Sequence, residues 1–500
     1  MGEFNTDPWS SLPGYVQENG LHPKRDVFTV SGNHGKRAGA ETHVVERKCE
    51  KFKKDLKVKR DLTLSMLRAR IDEYANDTTL HGLKYAVNSK YGAFRRTVWA
   101  LVVAVMVAIF TASMVNAFME FQKREVSTVI KINYVSDLDF PAVTICNYNQ
   151  FRKSVVNESG EEFLKLAFPI YGPVNVSGID WDGEFNESRN YNMTEAAIHS
   201  AHQLEQMLIH CNWKGSEICG PEDFTQSMTD FGVCYTFNDI VPPRKVQQSG
   251  TSSGLFLRLN VEQEEYTSNE NTGAGFRVMA HPQGQSPLVK LLGFAISPGY
   301  ETLVAMSHTK TESKPYPYPS NCSSRPLKYY QKYTRPLCMM ECITDEVVER
   351  CGCRKYTLPG TARSCGPEEW LTCVEPLLKN ITATGQNCDC PTPCEQAVYD
   401  TKVSAAYWPS EYVMQQIQEQ YNITDAMTYV RKNFLDVWFY FEELSFTEIQ
   451  QVQAYTSASL QSDIGGFLGL FLGASLITVM EFIDFIILNC IKKYNIITQK

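Results

Sequence analysis

One stretch, Gly465–Ile491 (GGFLGLFLGASLITVMEFIDFIILNCI), limits what this chain can be more than any other. It is long and apolar enough to cross a bilayer, for which about 20 residues suffice. Yet it carries Glu481 and Asp484 near one end, and small residues at Gly465, Gly466, Gly469, Gly473, Ala474 and Ser475. Charge inside a membrane segment is costly, so such acids face a bundle interior or a water-filled path. Three residues apart, the two share one helix face. Two readings stay open here. The small residues could pack one helix on another with the acids among the headgroups, or copies of the segment could surround a cation path.

A second stretch of spanning length, Val98–Met119, has no charge until Glu120. It lies far from the first residue and lacks a cleavage pattern, so it does not read as a signal peptide. Two spans put both termini on one side. Lys84, Lys90, Arg95 and Arg96 before the first span, and Lys492 and Lys493 after the second, assign that side to the cytosol of a plasma-membrane protein. Residues 120–457 are then extracellular. Of 16 cysteines, all but Cys49 and Cys490 fall in that loop, an even set in an oxidising compartment. Sequons at Asn157, Asn175, Asn186, Asn192, Asn321, Asn380 and Asn422 agree with this orientation. The net charge of −8 argues against a nucleic-acid partner.

Residues 1–60 are rich in glycine, proline and charge and are expected to be disordered. Their basic run Lys48–Arg60 is a solvated tail or a contact for membrane lipid. Leu64, Leu67 and Ile71 recur at helical spacing. Ser127–Tyr134, Gly254–Val261, Leu291–Ile296 and Asn433–Leu444 read as strands, and Glu195–Ile209 and Glu411–Gln420 as helical. His81-Gly82 in isolation is a turn.

Phe140-Pro-Ala-Val-Thr-Ile-Cys-Asn147 follows the first span, His81-Gly82 precedes it, and Gly473-Ala474-Ser475 lies in the second. With Tyr235-Thr-Phe-Asn238, the cysteine block from Cys338 to Cys394, and Ser462-Asp-Ile-Gly-Gly466, the chain from about residue 60 to 491 resembles the degenerin/epithelial sodium channel superfamily. The likeness is to its acid-sensing and peptide-gated branch. It implies an α+β membrane protein in which three copies surround one pore, as a homotrimer or with related subunits. The implied order is a cytosolic tail (1–60), a re-entrant His-Gly region (61–96) and a first span (97–119). An extracellular domain (120–457) follows, with a β-sheet palm, a β-ball, a knuckle, a helical finger (155–230) and a thumb (338–394). A pore helix (458–491) and a short tail (492–500) end the chain.

The resemblance also implies disulfides Cys146–Cys234, Cys211–Cys219, Cys322–Cys394, Cys338–Cys390, Cys342–Cys388, Cys351–Cys373 and Cys353–Cys365. It makes Gly473, Ala474 and Ser475 the selectivity filter, Glu481 and Asp484 inner acidic rings, and His81 and Gly82 a support for the lower pore. Asp463 becomes an outer acidic ring, or a helix N-cap, or both. Leu444-Ser445 corresponds to a desensitisation linker in which relatives carry Leu-Asn, so Ser445 leaves the rate open.

The gating ligand is an extracellular neuropeptide or protons. Lys123–Thr128 (KREVST) has no histidine, the acids after Cys373 thin to Glu375 with Lys379 nearby, and the loop Glu264–Gly275 is short. Fewer crowded carboxylates lean away from strong proton activation. Other readings are a constitutive or modulator-driven sodium leak and, more remotely, an ATP-gated two-span trimer. No nucleophile elbow, phosphate loop or metal motif stands out, so neither an enzyme nor a cofactor is expected. A zinc reading of Cys351-x-Cys353 or Cys388-x-Cys390 fails on spacing and compartment.

Overall fold

The structure, a computed structural model, describes residues 57–58, 61, 64–66, 68–158, 178–183, 191–267, 271–385, 388–421 and 426–498. The expected disorder of residues 1–60 and the sequons Asn175, Asn186 and Asn422 therefore fall almost entirely outside the described residues. The chain forms two compact units, one of Thr111–Phe467 and one of Met1–Phe110 with Leu468–Lys500.

In the first unit, the segment Phe140–Asn147 is buried at every position. A strand with both faces covered reads as a continuous apolar run rather than an alternating one, and this segment supplies the middle strand of a five-stranded sheet. That sheet runs β11 (Phe294–Ile296), β10 (Phe276–His281), β3 (Ala142–Asn147), β7 (Gly232–Phe237), β6 (Phe224–Thr229). The larger sheet runs β13 (Glu395–Tyr407), β12 (Tyr300–Glu312), β14 (Phe434–Gln453), β9 (Leu255–Asn260), β4 (Leu208–Trp213), β5 (Glu217–Ile218). β1 (Val126–Tyr134) pairs with the later half of β14, and β2 (Leu138–Asp139) with β8 (Lys245–Val246). Both sheets feed one core, in which Phe140 meets Trp213 edge-on at 4.7 Å and Phe441 at 5.9 Å. Asn238, left-handed at φ 61°, ties this core to its loops by donating from Nδ2 to the Phe140 carbonyl at 2.7 Å.

The expected strand Asn433–Leu444 is longer than its apolar pattern suggests. β14 runs 20 residues, because β1 supplies a partner for the polar stretch from Ser445 to Gln453. Glu195–Ile209 is not one helix. It divides into Met193–Ser200 and Leu204–Met207, then enters β4. His202 sits at the division, buried between Glu262 and Asn149 at 2.7 and 2.9 Å. Leu291–Ile296 likewise begins as a helical turn, Val289–Leu292, whose amides cap on Asp230, and becomes extended only at Phe294.

The cysteine block folds into Arg335–Cys351 and a second helical segment from Pro367 through Thr384, with a π-turn at Trp370–Val374. Cys351–Cys373 ties the end of the first to the middle of the second, while Cys338–Cys390 and Cys342–Cys388 tie its start to the residues beyond. The two segments are thus antiparallel. Trp370, Tyr356 and Val374 share a second core with Phe151, Val156, Met193 and Ala197 from outside the block.

In the second unit, residues 68–77 are helical and Leu83–Val87 forms a short helix. Ala93–Lys123 is one helix long and apolar enough to span a membrane, and none of its apolar window is buried within the chain. The second apolar segment is not the continuous helix expected over 458–491. Ser457–Leu472 and Leu476–Ile491 meet at 74° across a break at Gly473-Ala474-Ser475.

Candidate ion-conduction site

The break is built from glycine and two threonines. Gly473 sits at φ 61°, and a Cβ there would lie 2.1 Å from His81 Nδ1. Only glycine meets both demands, left-handed backbone and no side-chain room. Before the break the helix widens into a π-turn at Leu468–Leu472, and Gly473 N donates to Gly469 O and Ala474 N to Leu468 O, both at 3.1 Å. After it, Ser475 starts the next helix with its amide donating to Thr478 Oγ1 at 3.0 Å, the backbone half of a capping box. The carbonyls of Gly473 and Ala474 accept no backbone hydrogen bond among the described residues.

His81 and Gly82 meet this break directly. His81 N donates to the Leu472 carbonyl at 3.1 Å. Gly82, at φ 83°, lies so close to the first apolar helix that a Cβ would be 3.1 Å from Val103. Two contacts absent from the sequence reading complete the joint. Thr79 and Thr478 share a hydroxyl hydrogen bond of 2.6 Å, with Thr478 buried. Glu481 Oε2 accepts from the Thr79 amide at 3.1 Å and from the Thr78 and Thr79 hydroxyls at 3.3 Å. The pair Thr78-Thr79 just before His81-Gly82 is the only sequence signal for this, and it is unremarkable without the fold.

Asp484 lies one turn beyond Glu481 and lines a cavity of about 250 Å³ with Arg70, Glu73, Tyr74 and Asp77. Arg70 Nη1 donates to Asn489 Oδ1 at 2.7 Å, and Tyr74 packs on Phe485 at 4.6 Å. The helix over residues 68–77 and the later half of the second apolar segment thus border a largely acidic space.

Asp463 is not an N-cap. The helix starts at Ser457, Thr456 Oγ1 accepts from the Ser459 amide at 3.0 Å, and Asp463 lies inside the helix, receiving a hydrogen bond from Tyr455 OH. Leu444 and Ser445 lie within β14, not in a linker after it. There β14 exchanges β9 for β1 as its partner, Val135 N donates to Leu444 O at 3.0 Å, and Ser445 pairs with Tyr134.

The acids considered above as proton sensors are engaged. Glu375 Oε1 accepts from the buried Lys355 Nζ and from Trp370 Nε1, both at 3.0 Å. Glu264 accepts from Tyr429 OH at 3.1 Å. Burial pushes Glu265 up, but the Ser154 amide at 2.8 Å outweighs it and the carboxyl sits below its usual range. His308 is the group that stands alone: 7% exposed, stacked on Tyr399 at 4.6 Å, with neither ring nitrogen hydrogen-bonded.

Seven disulfides join Cys146 to Cys234, Cys211 to Cys219, Cys322 to Cys394, Cys338 to Cys390, Cys342 to Cys388, Cys351 to Cys373 and Cys353 to Cys365. These are the pairs the resemblance implied, and no thiolate is left among them for a metal. Cys490 is free and exposed. Of the sequons, Asn192, Asn321 and Asn380 are exposed, and Asn157 lies in the short helix Lys153–Glu158.

The family model described as amiloride-sensitive sodium channel matches residues 74–485. Similar proteins include acid-sensing ion channel 4-B of Danio rerio, 34% identical over 84% of this chain and 76% of that protein. Acid-sensing ion channel 2 of Rattus norvegicus is 32% identical over 84% of this chain and 87% of its own length. Acid-sensing ion channel 1 of Gallus gallus is 31% identical over 86% of both.

Proposed function

The chain belongs to the amiloride-sensitive sodium channel family, whose members are ion channels and not enzymes, and we propose that it is a sodium-selective, amiloride-sensitive channel opened by an extracellular ligand, a neuropeptide or protons. Three copies, alike or with related subunits, surround the pore in the plasma membrane with both termini in the cytosol. The observation that carries this reading is the break at Gly473-Ala474-Ser475. It leaves the carbonyls of Gly473 and Ala474 without backbone partners, in a segment otherwise fit for lipid. A ring of such carbonyls can replace part of an ion's hydration shell.

Glu481 and Asp484 add negative charge toward the inner end, where rings of carboxylates attract cations. Glu481 also fastens the Thr78-Thr79 turn, so the re-entrant segment and the filter are one joint. Gating is a population shift between closed and open arrangements biased by the ligand. The engaged state of Glu264, Glu265 and Glu375 favours the peptide over the proton.

Voltage clamp of the protein expressed alone in oocytes tests this. External pH is stepped from about 7.4 to about 5, then amidated peptides are applied at constant pH, with external sodium replaced and amiloride added in turn. A sodium-dependent, amiloride-blocked current to either stimulus supports the reading. A standing blocked current without stimulus makes it a leak channel, and a current indifferent to sodium overturns it. Neutralising Glu481 and Asp484 together lowers conductance or sodium preference; no change removes both from the ion path.

A further inference from the structure

The larger sheet ends on β13, a 13-residue strand whose only ladder partner among the described residues is β12. Its outward backbone groups make no hydrogen bond among the described residues. A long exposed edge is a template for a further strand, and proteins usually blunt it with lysine, proline or a cover. Between Glu395 and Thr401 β13 carries neither lysine nor proline. Instead a cavity of about 760 Å³ runs beside it. Consecutive residues from Glu395 to Tyr399 line this cavity, so both faces of the strand contribute and the space follows its edge. Opposite stand Phe294 and the Tyr333–Thr334 turn. The run spans about 14 Å at strand rise, the length of a five-residue extended peptide.

Charge selects the occupant. Glu312 faces Glu395 directly across the β12–β13 register, and like charges so placed are destabilising. Glu312 accepts from the neutral Gln450 amide at 2.8 Å, while Glu395 is exposed and has no partner among the described residues. The cavity's two lysines do not neutralise them. Lys332 Nζ donates to the Gln283 carbonyl at 2.6 Å, and Lys310 sits over the Phe446 ring at 4.5 Å. One end of the groove thus holds two uncompensated carboxylates beside a free strand edge.

We propose that β13 is a docking edge for an extended extracellular peptide, which adds as a further strand and sets a lysine or arginine side chain between Glu312 and Glu395. Main-chain hydrogen bonds supply affinity, and the acid pair supplies register and selectivity. The proposal concerns binding and does not require that the peptide open the channel.

The test uses the full-length protein in detergent and a probe, Ac-Lys-Thr-Val-Thr-Val-Thr, carrying a fluorophore on its C-terminal amide, followed by anisotropy. Saturable binding is expected. It should weaken about tenfold when the probe's lysine is replaced by glutamate, and again when alternate probe amides are N-methylated. Glu395→Lys, an exposed substitution, should reverse the preference between the two probes while leaving the elution volume of the protein unchanged. Absence of saturable binding, including the case in which a second copy of the chain already covers this edge, overturns the proposal. So does a preference that Glu395→Lys leaves untouched. Because the readout is binding, either failure leaves the sodium-current experiment to decide the channel reading separately.

Discussion

Five disulfides fall between Cys322 and Cys394, whereas the chain from Ser457 to Thr498 forms none. The antiparallel helical pair is held covalently and packs around Trp370 in a core shared with Phe151, Val156, Met193 and Ala197. Loops of this size contribute about 3–4 kcal/mol for each cross-link. The broken apolar segment holds its shape through a few hydrogen bonds to His81, Thr79 and Thr478, each worth about 1 kcal/mol, and one glycine that nothing can replace. The difference teaches where this protein can yield. A cross-linked body keeps its shape under load, while a joint of weak bonds around a left-handed glycine can take two arrangements at modest cost.

Four experiments bear on that contrast. The largest effect is expected from Gly473→Val, which must displace His81 and adopt a left-handed backbone. It should abolish current at unchanged surface level, read by voltage clamp with surface biotinylation. Normal current would mean the joint is not a joint. Next, the double substitution Cys338→Ser with Cys390→Ser opens a 52-residue loop and should cost about 4 kcal/mol, measured by denaturant unfolding of the unit Thr111–Phe467 in the full chain. A loss under about 1 kcal/mol would show the hairpin's core sufficient without its staples.

Acid should act elsewhere than on the hairpin. Burial, with Lys310 nearby opposing Asp139, holds the His308 imidazole down to about 4. The unfolded chain therefore takes up a proton on this residue below about 6.5, before the folded one does. Its contribution to stability is whole above that pH and is lost as pH falls toward 4. At pH 5 the loss is about 2 kcal/mol, and His308→Phe should remove it from the difference between melts at pH 7 and pH 5. An unchanged difference would assign the acid limb to another group. The smallest effect is expected from Glu375→Gln. Its carboxylate already serves the buried Lys355 and Trp370, and glutamine keeps an acceptor but not the charge, so the change should cost about 1–2 kcal/mol in melting and leave any pH response of the current in place. A shifted response would make Glu375 a proton sensor after all.

Legibility in the sequence followed locality. The alternating β1 carries its signal within a few residues and forms the strand expected, whereas Phe140–Asn147 carries the family resemblance and no strand expectation, and the cysteine pairing follows from that resemblance, not from spacing. The break in the second apolar segment was hidden, because hydropathy averages over a window and Gly-Ala-Ser is as compatible with close helix packing as with a left-handed turn. Thr78, Thr79 and Thr478 were missed for a related reason: a threonine hydroxyl gains meaning only from its partner, some 400 residues away. The polar half of β14 read as a linker, since half-buried positions throughout give no alternation to detect. His202 divided an otherwise helical pattern through contacts the sequence does not display.

β14 carries one more consequence. Opposite β12 its register advances from Met306–Phe441 to His308–Phe446, so Ser307 faces four residues of β14 where a regular ladder would give it one. The three surplus residues lie within Glu442–Ser445 and hold about 10 Å of folded-up chain length at strand rise. A strand resists stretching and slips reluctantly, whereas slack of this kind can be drawn out at the cost of the Val135 N–Leu444 O bond and the Ser445–Tyr134 pair. The run from Asp436 to the helix at Ser457 is therefore a tether with built-in travel, and shortening it by deleting one residue of the bulge should tighten whatever motion it limits.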